Sequence, residues 1–103
     1  MLIPTEKVFR RTLMLCIAGT RGGVARLRIL RMLEQKPRNI NQLAGSLSMD
    51  YKTVQHHVRV LEKLGLVASS KKKYGNLYGF SALMLANRNV LKEIWEKVDK
   101  YGR

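Results

Sequence analysis

Apolar residues recur at helical spacing through most of this chain and give way to alternation over one short stretch. Within residues 5–18, Val8, Phe9, Leu13, Cys16 and Ile17 stand at helical spacing, with Thr5 after Pro4 as a candidate cap. The segment is apolar enough that a strand competes with this expectation. The run GTRGG at 19–23 ends it. A second helix is predicted over 24–35, burying Leu27, Leu30 and Leu33 and exposing Arg28 and Arg31, and Pro37 closes it.

Two more helices follow in close succession. Asn39 with Gln42 three residues on is a capping-box pattern, and it opens a helix that buries Leu43, Ala44 and Leu47. Asp50 caps the next helix, which runs over 51–64 until Gly65 stops it. Residues 66–71 and 77–81 alternate around a turn at 72–76, the pattern of a β-hairpin with a lysine-rich tip. A last helix, from about 89 to 101, carries Leu91, Ile94, Trp95, Val98 and Tyr101 along one stripe. Two helices joined by a tight turn and followed at once by a hairpin describe a winged helix-turn-helix. The expected class is therefore mainly α with a small β-hairpin wing. One domain spans 1–103: an N-terminal helix at 5–18, the winged core at 24–81 and a C-terminal helix at 82–103.

Charge sharpens this picture. Lys and Arg number 20 against 7 Asp and Glu, a net charge of +13. A domain of 103 residues so far from neutrality repels itself, and a polyanion relieves that repulsion. The excess is uneven: residues 7–31 hold Lys7, Arg10, Arg11, Arg21, Arg26, Arg28 and Arg31 and no acid, whereas 93–103 balance three acids with three bases. The apolar run at 13–18 is too short for a membrane span or an export signal, so a cytoplasmic protein without a membrane partner is expected. A single cysteine, Cys16, allows no intrachain disulfide and no thiolate cluster, and it reads as packing.

The helix over 51–64 sorts its side chains by chemistry when turned through about 100° per residue. Val54, His57, Val58, Leu61 and Leu64 form one arc; Tyr51, Lys52, Gln55, His56, Arg59, Glu62 and Lys63 form the other. Such a helix docks one side on its domain and offers the other to the major groove. Gln55 matches N6 and N7 of adenine, and Lys52 can donate to guanine O6 and N7. Tyr51 and Thr53 add hydroxyls near the start, while His56, Arg59 and Lys63 suit phosphates. A solvated basic face is the competing reading.

Lys71, Lys72 and Lys73 with Tyr74 would lie along the DNA backbone or minor groove, the alternative being a lysine-guarded sheet edge. Arg21 before Gly22 and Gly23 is a candidate phosphate clamp or a plain linker. His56 and His57 point about 100° apart, too divergent to grip one metal ion, and His57 is expected as a hydrogen-bonded core histidine. No nucleophile with a base, no paired carboxylates and no phosphate-cradling loop can be found, so neither catalysis nor a cofactor is expected.

The ordered set RLRILRML at 26–33, NQLA at 41–44, DYKTVQHH at 50–57 and LEKLGLV at 61–67 resembles the ArsR-like winged-helix regulators. GTRGG at 19–23 and the 50–57 run look like an archaeal subset of that group. The resemblance covers about residues 19–101 and implies a homodimeric transcriptional regulator that reads double-stranded DNA. Metal sensing is not carried over, since no cysteine accompanies the 51–64 helix and the C-terminal helix offers Asp99 but no histidine. The effector stays unknown. The dimer is expected to be held by Phe9, Leu13 and Ile17 against Leu91, Ile94, Trp95 and Val98 across a two-fold axis. An architectural DNA-coating protein and a protein-interaction module remain as rival functions.

Overall fold

The computed structural model describes residues 6–18, 20–72 and 75–101, with side chains through residue 98. The element order is α1 (Glu6–Ile17), α2 (Gly23–Gln35), α3 (Ile40–Leu47), α4 (Tyr51–Lys63), β1 (Val67–Ser69), β2 (Tyr78–Phe80), α5 (Ala82–Ala86) and α6 (Arg88–Tyr101). This is the winged helix-turn-helix that the pattern predicts, with α3 and α4 as the two-helix unit and the antiparallel β1–β2 hairpin as the wing.

The caps explain the boundaries. Asn39 Oδ1 accepts from the Gln42 amide at 2.8 Å while Gln42 Oε1 accepts from the Asn39 amide at 2.9 Å, so two donors at the start of α3 are satisfied reciprocally. The Asp50 carboxylate accepts from the Lys52 and Thr53 amides at 3.0 and 3.2 Å and opens α4. Gly65, at φ +77°, turns the chain out of α4. Leu64, assigned to the apolar arc by its spacing, is instead 39% exposed, because the helix is already ending there.

Helix α2 runs through the centre and touches α1, α3, α4 and β2. Ile29, Leu30, Leu43, Leu61, Val54 and Val58 are completely buried around it. The α1 segment is a helix, which settles the competition with a strand: Phe9, Leu13, Cys16 and Ile17 form its buried side and Val8 its exposed one. Helices α1 and α2 cross so closely that a Cβ on Gly23 would stand 1.7 Å from the Ile17 carbonyl oxygen. Two features have no signature in the sequence pattern. Arg38 exchanges backbone hydrogen bonds with Tyr78 at 2.9 and 2.8 Å, adding a bridge to the wing. Ser81 caps the short α5 by accepting from the Met84 amide at 3.1 Å, so the 82–103 segment is two helices.

The residues expected to join two copies need correction. Phe9, Leu13 and Leu91 are at most 1% exposed within their own chain, and Ile94 and Ile17 only 4% and 8%. Helix α6 packs on α1 of the same chain, so the stripe is spent on the domain's own core. Trp95 and Val98 are half-buried, Trp95 beneath the Arg31 guanidinium at 5.3 Å. The apolar surface left open is different: Val8, Met14 and Leu15 on α1 and Val24 on α2. The call for Thr5 as a cap lies outside the described residues.

Two glycines separate backbone cost from packing need. Gly45 lies inside α3 with open space where a Cβ would stand. Gly45→Ala is expected to raise unfolding stability by about 1 kcal/mol, since alanine loses less backbone entropy on entering a helix. Gly23→Ala should destabilise by several times that amount, because helix must separate from helix. Urea melts of both variants against the parent check the pair; equal and opposite small shifts would refute the tight crossing.

Candidate nucleic-acid interface

Helix α4 presents two faces. Val54, His57, Val58 and Leu61 are buried against the domain. Tyr51, Lys52, Thr53, His56, Arg59 and Lys63 are exposed, and Gln55 is half-buried. The arcs deduced from spacing are thus the arcs of the fold, Leu64 aside. A cation-rich, hydroxyl-bearing helix surface without a covering element is built to meet phosphates and base edges.

Beside α4 lies a cleft of about 320 Å³. Tyr51 and Gln55 form one wall, Asn39 and Asn41 at the start of α3 another, and Lys72, Gly75, Asn76 and Tyr78 of the wing the third. The fold brings Gln55, Tyr51 and Lys72 together, although 17 positions separate Gln55 from Lys72. Amide side chains at 39, 41 and 76 join them. Sequence reasoning had used Asn39 only as a cap and Asn76 only as a turn residue, and it had not considered Asn41 for the site.

Short hydrogen bonds shape the wing. The Ser70 amide donates to the Leu77 carbonyl at 2.8 Å, and the Ser70 hydroxyl donates to Asn76 Oδ1 at 2.9 Å while accepting from the Leu77 amide at 3.0 Å. Lys71 sits in the left-handed region at φ 58°, which turns the chain sharply after β1. Lys71 and Lys72 are exposed; Lys73 and Tyr74 lie outside the described residues.

Part of the basic N-terminal stretch is engaged within the fold, while Lys7, Arg11 and Arg21 stay exposed. Arg10 pairs with Glu93 at 2.6 Å and Glu6 at 3.4 Å, and it holds the Glu93 carboxyl below the ordinary carboxylate value. Arg28 donates to the Leu47 carbonyl at 3.3 Å and Arg31 covers Trp95. Arg21 is exposed at the α1–α2 junction and is not among the residues lining the α4–wing cleft.

Arg26 departs furthest from expectation. It is 6% exposed and meets no carboxylate among the described residues. Its Nε donates to the Cys16 carbonyl at 2.8 Å and Nη2 to Thr20 Oγ1 at 2.8 Å. Nη1 lies 3.2 Å from His57 Nδ1. A guanidinium only donates, so Nδ1 is the acceptor and the neutral ring carries its proton on Nε2. Burial first, then Arg26 and His56, pushes the His57 pKa below its ordinary value. His57 is the hydrogen-bonded core histidine that spacing predicted. Burial likewise pushes the Cys16 thiol up, keeping it neutral. Among the described residues no group of three His, Cys, Asp or Glu could hold a metal ion, and no helix is long and apolar enough to cross a membrane.

Comparison with known proteins agrees with this geometry. Residues 24–69 match the sequence model of the family described as "Bacterial regulatory protein, arsR family". No curated protein matches the sequence. Among solved structures, the fold is similar to a homodimeric winged helix-turn-helix DNA-binding domain from Mycobacterium bovis, a possible ArsR-family transcriptional regulator. That match has a TM-score of 0.67 and 19% identity over 90% of this chain and 82% of the other. Reduced HlyU from Vibrio cholerae matches at TM-score 0.64 and 20% identity, covering 95% of each chain. A possible transcriptional regulator for arsenical resistance reaches 26% identity at TM-score 0.57, over 82% of this chain and 83% of its own. The chain has the winged helix-turn-helix fold, and its residues 24–69 are similar to the bacterial arsR family of regulatory proteins.

Proposed function

We propose that this regulator reads double-stranded DNA as a homodimer, with α4 in the major groove and the wing on the flanking backbone or minor groove. The observation that carries the reading is the cleft where Gln55 and Tyr51 of α4 face Lys72 and Asn76 of the wing. Gln55 can make a bidentate contact with adenine, and Tyr51, Lys52 and Thr53 stand on the turn that reaches base edges. His56, Arg59, Lys63, Lys71 and Lys72 grip phosphate, with Lys73 and Tyr74 continuing the wing in sequence. Arg21 is a peripheral phosphate contact. Such a role places the protein with the chromosome, in the cytoplasm or nucleoid.

The dimer seam in this proposal is the open apolar surface of α1 and α2. Between α1, α2 and α6 runs a mostly apolar groove of about 160 Å³, with Met14, Val24, Leu27, Ile94 and Val98 in its lining together with Lys97 of α6. Val24 is 70% exposed and Met14 38%. The uncovered side of α1 carries Met14 and Leu15 toward its C-terminal end, beside the groove, while its charged residues Glu6, Lys7 and Arg11 lie toward the N-terminal end. Two copies joined there would carry two α4 helices toward successive major grooves, about 34 Å apart on one face of the duplex.

Gln55→Ala is expected to cost about 1–3 kcal/mol on a preferred duplex and to relax preference at one or two base pairs. Replacing Lys71 and Lys72 by Ala should weaken every sequence alike and flatten the salt dependence. Fluorescence anisotropy on a duplex selected from random DNA, beside its scrambled counterpart, checks both. A lysine change that altered the preferred site while Gln55→Ala left it intact would reverse the roles.

Val24→Asp tests the seam. An acid in the first turn of a helix favours the helix dipole, so α2 itself is not harmed. Sedimentation should show a dimer for the parent and an 11.8 kDa monomer for the variant, with weaker binding to a two-half-site duplex. A parent that sediments as a monomer at micromolar concentration removes the dimer from the proposal.

A further inference from the structure

We propose that Arg26 and His57 are a positioning pair that sets α4 at its reading angle, and that selective DNA binding requires His57 to be uncharged. The proposal rests on α4 being the reading helix, and it concerns residues that touch no DNA.

A buried guanidinium without a carboxylate is expensive, and it persists where most of its donors are used. Here four hydrogen bonds tie three places in the fold together. Cys16 at the end of α1 accepts at 2.8 Å, Thr20 and the Arg21 carbonyl in the α1–α2 junction accept at 2.8 and 3.4 Å, and His57 in the middle of α4 accepts at 3.2 Å. The junction also presses on the imidazole from outside. Gly22 has φ +89°, and a Cβ there would come within 2.6 Å of His57 Cε1 and 3.0 Å of Arg26 Nη1. His57 is therefore held by a donor and by backbone at once, on the face of α4 opposite its exposed cations. Val54, Val58 and Leu61 can slide or rock without breaking a directional contact; the Arg26–His57 bond cannot.

Protonation reverses this contact. An imidazolium carries N–H on both nitrogens, so Nδ1 would point a donor at a donor, and two cations would face each other out of water. The charged groups acting on the ring are Arg26 from α2 and His56 from α4, both of which disfavour its proton. Cys16 from α1, bonded to Arg26 through its carbonyl, stays a neutral thiol. The ring's proton affinity is lower in the folded, paired state than when released. Stabilisation from the pair is thus complete above about pH 6.5 and is lost as pH falls through the lower folded value.

The comparison is between the parent and His57→Asn, whose Oδ1 can take the place of Nδ1 but does not titrate. The probes are a duplex selected from random sequence by the parent and a scrambled duplex of equal length, from about pH 7.5 down to the acid limit at which the parent stays folded. The parent should lose preference for the selected duplex by up to about tenfold per pH unit once pH falls below the lowered folded value of His57, while His57→Asn keeps it. His56 is retained in both proteins, so the comparison isolates position 57. His57→Leu, which leaves Arg26 without its acceptor, should lose preference even at pH 7.5. If it fails to fold, the pH comparison with His57→Asn still decides. Parallel pH profiles for parent and His57→Asn overturn the proposal, as does full preference in a folded His57→Leu. Imidazole nitrogen NMR of the free protein tests the pair without DNA. An unprotonated Nδ1 is expected at neutral pH, and a proton found there overturns it. A protein that binds no duplex yet shows the Nε2–H form refutes the reading of α4 as a DNA helix, and with it the requirement that rests on that reading.

Discussion

A helix of 13 residues is marginal by itself in water, so the reading surface of α4 exists only because its other face is buried. Val54, Val58 and Leu61 are wholly buried, and each completely buried aliphatic side chain contributes roughly 1.5–3 kcal/mol. This anchoring leaves Tyr51, Lys52, Thr53, His56, Arg59 and Lys63 free to be polar. The Asp50 cap orders the start of α4, its carboxylate occupied by two amides of the first turn. Anchor and cap together turn a basic segment into a surface with defined register.

The +13 charge divides into two populations with different work. Arg10, Arg26, Arg28 and Arg31 are occupied by Glu93, backbone carbonyls, His57 or an indole ring. They act as long donors that tie helix to helix, a role that guanidinium geometry suits better than an ammonium. Lys52, Arg59, Lys63, Lys71 and Lys72, on α4 and the wing, are exposed cations available to a polyanion. Net charge alone therefore overstates the phosphate-binding surface of the N-terminal third. It describes the α4–wing face well.

Much of this was legible beforehand because it is local. The Asn39–Gln42 capping box, the Asp50 cap, the Gly65 stop and the two arcs of α4 each depend on neighbours within a turn or two, and each is found as read. What was illegible depends on distant partners. Arg26 sits among residues whose spacing exposes arginines, and only Cys16, Thr20 and His57, up to 31 positions away, make its burial tolerable. The α1 and α6 stripes were expected to meet across two copies, but each packs on the other within the chain, which no one-dimensional pattern reveals. Asn41 and Asn76 were missed as cleft residues for the same reason, since a cleft between α3, α4 and the wing has no contiguous motif.

The first turns of α2 bring these strands together. Val24 points into solvent beside the apolar groove, and Arg26, two residues on and about 200° around the helix, points inward to His57. Gly22 and Gly23 just before them allow both the turn and the close approach to α1. One short segment therefore borders the surface through which copies would associate and holds the contact that steadies the reading helix. The α1–α2 junction and α4 are joined by the Arg26–His57 hydrogen bond and by the close approach of Gly22 to the imidazole. The open apolar surface beside Val24 and the α4–wing cleft are separate, yet the first turns of α2 border the one and hold the arginine that bonds to α4.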